Sequence, residues 1–214
     1  KLVLSIDATD RQQVVALNAA TGRVAWNTPR DAKPARPFSF GTPLVVPVKG
    51  RDQVVSVGSD VVMGLEPATG KEVWRVRFSG YSVVPRPVHA YGVVYFSTGY
   101  DSPTVYAVKT DGTGDVTDTH VLWKSKKGGP RNASPLLIGD ALYCVSDGGL
   151  VTCLDAKTGA ERWGENVGGA YSASGQQPWL DTIRHGEKAL ASYAVDGPAL
   201  YVRTAKAVYR VEEE

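Results

Sequence analysis

Short apolar runs alternate with clusters of Gly, Pro, Asp, Asn and Ser along the whole chain. The stretch from Ser134 to Gly169 shows the unit. Leu136-Leu137-Ile138 reads as a short strand closed by Gly139-Asp140, and Ala141 to Ser146 as a second strand. Asp147-Gly148-Gly149 is a hairpin turn, and Leu150 to Leu154 reads as a third strand. The corner Asp155-Ala-Lys-Thr-Gly159 follows, with Gly in the position that favours a positive φ, and Glu161 to Val167 makes a fourth strand. No segment of helical period competes with this reading, so the pattern predicts an all-β protein.

The unit recurs. Leu17-Asn-Ala-Ala-Thr-Gly-Arg-Val-Ala-Trp26, Leu65-Glu-Pro-Ala-Thr-Gly-Lys-Glu-Val-Trp74 and Leu154-Asp-Ala-Lys-Thr-Gly-Ala-Glu-Arg-Trp163 align residue by residue. A lengthened variant runs from Val108 to Trp123, and the Trp residues are spaced by 48, 49 and 40. Four strands in roughly 40–50 residues is one blade of a β-propeller. The expected fold is therefore a propeller of four-stranded antiparallel blades, with about five represented. They fall at about 1–30 (partial), 38–80, 82–128, 131–169, 170–189 (a remnant) and 190–214 (partial). Stacked blades bury both sheet faces. Trp26, Trp74, Trp123 and Trp163, with Gly22, Gly70 and Gly159, are accordingly expected to dock one blade on the next. Each indole N–H is then free to bond a backbone carbonyl.

The repeat breaks near residue 174. Thr42, Arg86, Ser134, Ser174 and Ser192 hold equivalent places at the start of inner strands, yet their spacings are 44, 48, 40 and then 18. Ser174-Gly175-Gln-Gln-Pro-Trp179 keeps the Gly-to-Trp interval. Two explanations stay open, residues missing from the sequence or a true deletion. The first is favoured because a deletion exposes sheet edges that proteins normally cover. The first blade lacks an inner strand and the last an outer one, so the chain is expected to be the C-terminal portion of a longer propeller.

Composition narrows the class further. The 214 residues are 43% apolar and 21% charged, with 24 basic against 22 acidic side chains and a net charge of +2. The apolar share excludes intrinsic disorder. The balanced charge argues against a nucleic-acid partner, and no apolar run is long enough for a membrane-spanning helix. The chain begins at Lys1 with no signal segment, which is expected of a processed or partial chain.

Chemistry-bearing residues are sparse. Cys144 and Cys153 flank the Gly148-Gly149 turn; a two-residue turn sets them directly opposite each other, so a disulfide and a pair of reduced buried thiols both stay open. Asp111, Asp115 and Asp118 sit in one loop without an EF-hand pattern, and are expected to be solvated. His89, His120 and His185 lie in different blades with no metal-ligand spacing, so no metal site is expected. No catalytic motif is present. Tyr81, Arg86, Arg131, Asn132, Tyr171 and Tyr193 lie where chains enter inner strands near the channel, and are the candidate ligand contacts. Arg there suits an anionic group.

The Trp-bearing segments resemble the tryptophan-docking repeat of the pyrroloquinoline-quinone (PQQ) propellers, close to Ala-x-Asp-x-x-Thr-Gly-x-x-x-Trp. That family includes the quinoprotein alcohol dehydrogenases and non-enzymatic relatives of the BamB type. The resemblance implies a ring of eight blades. It also implies, for the enzymes, a vicinal cysteine pair over PQQ and a calcium ion held by acidic and amide side chains. Cys144 and Cys153 are not vicinal, and no such set is found. The expectation is therefore a non-enzymatic scaffold that contacts other proteins outside the cytoplasm, in the periplasm, at the cell surface or secreted, with no cofactor. Two alternatives stay open. One is a fragment of a PQQ-dependent dehydrogenase with calcium, and the other a sensor propeller attached to another domain.

Overall fold

A computed structural model describes residues 1–166 and three later strands. β1 (Leu2–Asp7), β2 (Gln12–Leu17) and β3 (Val24–Pro29) form a three-stranded antiparallel sheet. β4 (Leu44–Val48), β5 (Arg51–Val57), β6 (Val61–Leu65) and β7 (Glu72–Arg77) make the second blade, a meander of neighbouring strands. β8 (Val88–Ala90), β9 (Val93–Ser97) and β10 (Val105–Lys109) begin the third. Between β10 and its outer strand, β11 (Gly114–Asp115) leaves the blade and pairs in parallel with β7; β12 (Val121–Ser125) then completes the sheet. β13 (Leu136–Ile138), β14 (Ala141–Val145), β15 (Leu150–Asp155) and β16 (Glu161–Asn166) form the fourth blade. β17 (Ala194–Asp196), β18 (Ala199–Arg203) and β19 (Val208–Val211) are a further three-stranded sheet. The expected remnant at 170–189 lies outside the described residues.

Strand side chains point alternately to opposite faces, and in blades two and three both faces are buried against neighbouring blades. Val14, Ala16 and Trp26 meet Val54, Val61, Met63 and Leu65, which joins blades one and two. The neighbours of those last residues, Val55 and Val62, turn the other way and pack with Trp74 against Val94, Phe96 and Val108 of blade three. Tyr95, Val105 and Ala107 in turn meet Leu142, Cys144 and Leu154 of blade four. Period-two strands with apolar residues on both faces thus produce stacked sheets, with a dry layer at each junction.

One irregularity repeats in all four of these blades. The outer strand carries one extra residue just before the Trp, so Trp26, Trp74, Trp123 and Trp163 stand opposite Ala16, Gly64, Ala107 and Cys153. A bulge at this place twists the outer strand and aims the indole. The residue facing it is small each time, which leaves room for the ring.

The corners share a design as well. Gly22, Gly70 and Gly159 take φ of +70°, +75° and +72°. The side-chain Oδ1 atoms of Asn18 and Asp155 each accept backbone N–H bonds from the residues two and three positions later, which closes the turn. Trp26 lies on Gly70 and donates its Nε1–H to Pro67 O at 3.1 Å, while Trp123 lies on Gly159 and donates to Ala156 O at 3.1 Å. Trp74 behaves differently. It is fully buried, folds back over Gly64 of its own sheet, and donates to Gln53 Oε1 at 2.7 Å. The lengthened corner of blade three explains this, because β11 and Val116 cover Trp74 where a compact corner stands elsewhere. Trp163 is 47% exposed, and residues 167–193 lie outside the described residues.

The register corrects the cysteine expectation. Ser146 N bonds Leu150 O, and Gly149 N bonds Ser146 O with φ of +82° at Gly149. The loop therefore contains three residues, with Gly149 in the left-handed region. That extra residue shifts the register by one: Cys153 faces Tyr143, and Cys144 faces Thr152. A slip of one residue sends side chains to opposite faces. Cys144 enters the junction with blade three, whereas Cys153 shares its face with Trp163, so the two are not cross-strand partners.

A buried ion pair joins the first two blades. Arg30 Nε and Nη2 reach Asp7 Oδ1 and Oδ2 at 2.7 and 2.9 Å, with Ser56 Oγ and O accepting further bonds. Both side chains are wholly buried.

Candidate functional site

Because each blade is an antiparallel meander, its two ends are built from different connections. The turns between first and second strands and the Gly corners lie at one end. The hairpins between second and third strands, and the links from one blade to the next, gather at the other. At that second end, Ser82 N bonds Phe38 O, Phe40 N bonds Val83 O, and Tyr100 N bonds Tyr81 O. Three separate loops are thus tied together by their backbones.

Their side chains form a strip of rings. Phe40 and Phe38 have centroids 6.2 Å apart, Phe38 and Tyr81 are 5.6 Å apart in an edge-to-face pair, and Tyr81 and Tyr100 are 6.1 Å apart. Arginines flank the strip. Arg36 stands over the Tyr81 ring with Cζ 4.6 Å from its centroid, and Arg131 over Tyr100 at 5.2 Å. Such cation–π contacts are worth about 0.5–1 kcal/mol at exposed sites. Phe40 is 62% exposed and Tyr100 50%.

The backbone beneath the strip is tightly constrained. A Cβ on Gly99 (φ +92°) would meet Tyr81 O at 2.2 Å, and one on Gly80 would meet Thr98 O at 2.2 Å. Only glycine permits this approach, and the approach sets Tyr81 beside Tyr100. Ser82 holds φ of +51°, a conformation that costs a non-glycine residue on the order of 1 kcal/mol.

Charge around the strip is unequal. Arg36 donates to the Tyr81 hydroxyl and reaches Asp101 Oδ2 at 3.3 Å. Partial burial, together with the Asp101 carboxylate, pushes the Tyr81 phenol above its ordinary value. Among the described residues Arg131 and Arg86 have no carboxylate within ion-pair distance, and the Arg86 backbone N–H donates to Ser134 Oγ at 3.0 Å. Asn132 donates to Asp147 Oδ2 at 2.9 Å.

Of the channel candidates read from the sequence, Tyr81 and Arg131 belong to the strip. Asn132 and Arg86 lie on the same end of the blades, and Tyr171 and Tyr193 lie outside the described residues. Arg36, Phe38, Phe40, Tyr100 and Asp101 were not anticipated. Their signal is aromatic residues placed in turn segments, as in Pro37-Phe38-Ser39-Phe40 and Gly99-Tyr100-Asp101, where strand packing does not call for them.

The opposite end holds a groove of about 810 Å³ between two corners, lined among others by Lys49, Arg51, Lys71, Glu66, Glu72 and Asp111. Cations and acids alternate there, and Lys49 already pairs with Asp111 at 3.2 Å. Lys49 holds the Asp111 carboxyl below its usual range. Asp115 is likewise lowered, chiefly by Thr117 and further by Arg77. Among the described residues no group of three or more His, Cys, Asp or Glu converges as metal ligands.

Comparisons with known proteins agree on the fold. A family model described as outer membrane protein assembly factor BamB matches residues 10–170. BamB of Burkholderia pseudomallei is 38% identical over 60 residues, which is 27% of this chain and 16% of that protein. The crystal structure of BamB from Moraxella catarrhalis has a TM-score of 0.52 at 17% identity, covering 99% of this chain and 61% of that one. A quinohemoprotein alcohol dehydrogenase from Pseudomonas putida has a TM-score of 0.51 at 18% identity, covering 84% and 30%. The chain spans less than two thirds of each relative's length.

Proposed function

The chain belongs to the family of the outer membrane protein assembly factor BamB, and from that premise we propose that it is a non-enzymatic interaction propeller working outside the cytoplasm. The observation that carries this reading is the strip Phe40–Phe38–Tyr81–Tyr100, exposed at both ends and half-buried between, with its flanking arginines. Exposed Tyr and Arg on a rigid base are what dominates binding energy at protein interfaces. The stacked blades supply the base, since the loops are tied by backbone bonds and close glycine contacts.

The relative named an assembly factor supports a scaffold acting on other proteins. The likeness to a quinohemoprotein alcohol dehydrogenase supports a second reading, a fragment of a PQQ-dependent enzyme. No helix among the described residues is long and apolar enough to cross a membrane.

A photo-crosslinking amino acid at position 40 or 100, and in a control at position 157 on the corner end, separates these readings. Discrete adducts with envelope proteins from the first two positions and not from the third support the scaffold. Dye reduction on alcohols after addition of PQQ and calcium, without such adducts, refutes it in favour of the dehydrogenase.

A further inference from the structure

The spacing of the rings defines what kind of partner they suit. An extended chain rises about 3.3 Å per residue, so its alternate side chains stand roughly 6.6 Å apart on one side. The ring centroids of the strip are separated by 6.2, 5.6 and 6.1 Å, close to that repeat. The rings touch one another, so the strip is a continuous apolar surface whose repeat matches apolar side chains at positions i, i+2 and i+4 of one extended segment lying across it. A helix does not match, because its same-face residues follow a three-to-four spacing. Beyond Tyr100 stands the Arg131 guanidinium, with Cζ 5.2 Å from the ring centroid and, among the described residues, no carboxylate within ion-pair distance. Its N–H groups are suited to a carboxylate, which they can grip in bidentate fashion.

We propose that the strip is a docking track for an extended peptide segment of another protein, with apolar side chains at alternate positions and an acidic side chain at the Arg131 end. The inference rests on the scaffold reading above and specifies its partner. Arg36 has a different part from Arg131. Its charge is already engaged by Asp101 and the Tyr81 hydroxyl, whereas Arg131 has no carboxylate partner among the described residues. The constrained glycine contact at Gly99 keeps two of the rings in register with the peptide repeat, so the track is already formed before binding and little ordering is needed.

The test uses fluorescein-labelled SFTLSYTEG and its reverse GETYSLTFS, because chain direction along the track is free. The control is SSTTFLYEG, of the same composition with its apolar residues adjacent. Fluorescence polarisation is expected to show saturable binding of one of the first two, roughly tenfold tighter than the control. Tyr100→Ala and Phe40→Ala each weaken it by roughly tenfold, and both are surface positions that leave the blade cores intact. Arg131→Glu weakens it similarly, and a peptide with Lys in place of Glu recovers the loss. Equal binding of the control peptide, no saturation up to about 1 mM, or an Arg131→Glu variant that binds the Glu peptide unchanged overturns the proposal. Saturable binding of PQQ that Arg131→Glu abolishes, without peptide binding, also overturns it, by making this a small-anion site. If the peptides fail while crosslinks from positions 40 and 100 persist, the track is wrong and the scaffold reading survives. If both fail, both fall.

Discussion

Replacing Gly70 by Ala tests the docking corner most directly, because the same turn exists in an unoccupied copy. Gly22 and Gly70 share the corner fold, with φ of +70° and +75° and the same backbone bond from the Gly N–H to the carbonyl four residues earlier, each at 2.8 Å. A Cβ at Gly22 meets nothing within 4 Å, whereas at Gly70 it meets Trp26 Cε3 at 2.5 Å and Thr28 Oγ1 at 2.7 Å. Gly22→Ala therefore carries the left-handed backbone term alone, about 1–2 kcal/mol. Gly70→Ala carries the same term plus an overpacking cost of about 1–3 kcal/mol. Lifting the indole also loses its bond to Pro67 O, a net contribution of about 1 kcal/mol. The expected losses are thus about 1–2 kcal/mol at position 22 and about 3–6 kcal/mol at position 70. Urea unfolding followed by indole fluorescence reads the difference as a midpoint shift at constant slope. Equal losses at the two positions would refute the idea that the indole rests on this glycine.

The other perturbations separate buried from exposed features. Trp74→Ala, at a fully buried ring, is expected to lose about 3–5 kcal/mol, and Trp163→Ala, 47% exposed, well under that in the same assay. Arg30→Leu leaves Asp7 buried and unpaired and should lose about 3–5 kcal/mol, while Arg30→Leu with Asp7→Leu recovers a large part; a double variant as unstable as the single one would contradict the ion-pair account. Burial pushes the Cys144 thiol up to about 12, so at pH 8 it should alkylate slowly in the folded chain and fast in urea, as read by mass spectrometry. Burial also holds His89 below the ordinary imidazole range, and its buried Nε2 has no partner among the described residues. The fold favours neutral His89, so this contribution is complete above the unfolded value of about 6.5 and is lost as pH falls below it. Melting temperatures at pH 7 and 5 should diverge more in the native chain than in His89→Leu.

Much of the architecture follows from residues close together in the chain. The strands of blade four, the Gly corners and the repeat interval come from period-two patterning and turn chemistry, both local, and they suffice for the propeller class. Tyr81, Arg131 and Asn132 were accessible as candidates for the same reason, since their place before an inner strand is set by the repeat. Other features depend on contacts between distant segments. Whether the turn at Gly149 holds two or three residues is decided by one left-handed residue, and that choice moved the cysteines to opposite faces. Trp74 follows the same Leu-x-x-Ala-Thr-Gly corner at the same interval as Trp26, yet it folds onto its own sheet because a corner some forty residues later is longer. Arg30 finds Asp7, and Phe38 finds Tyr81 and then Tyr100, only once the blades stack. Local chemistry sets which strands and turns can form. The stacking of sheets sets which loops meet, and so where the aromatic strip lies and what it can hold.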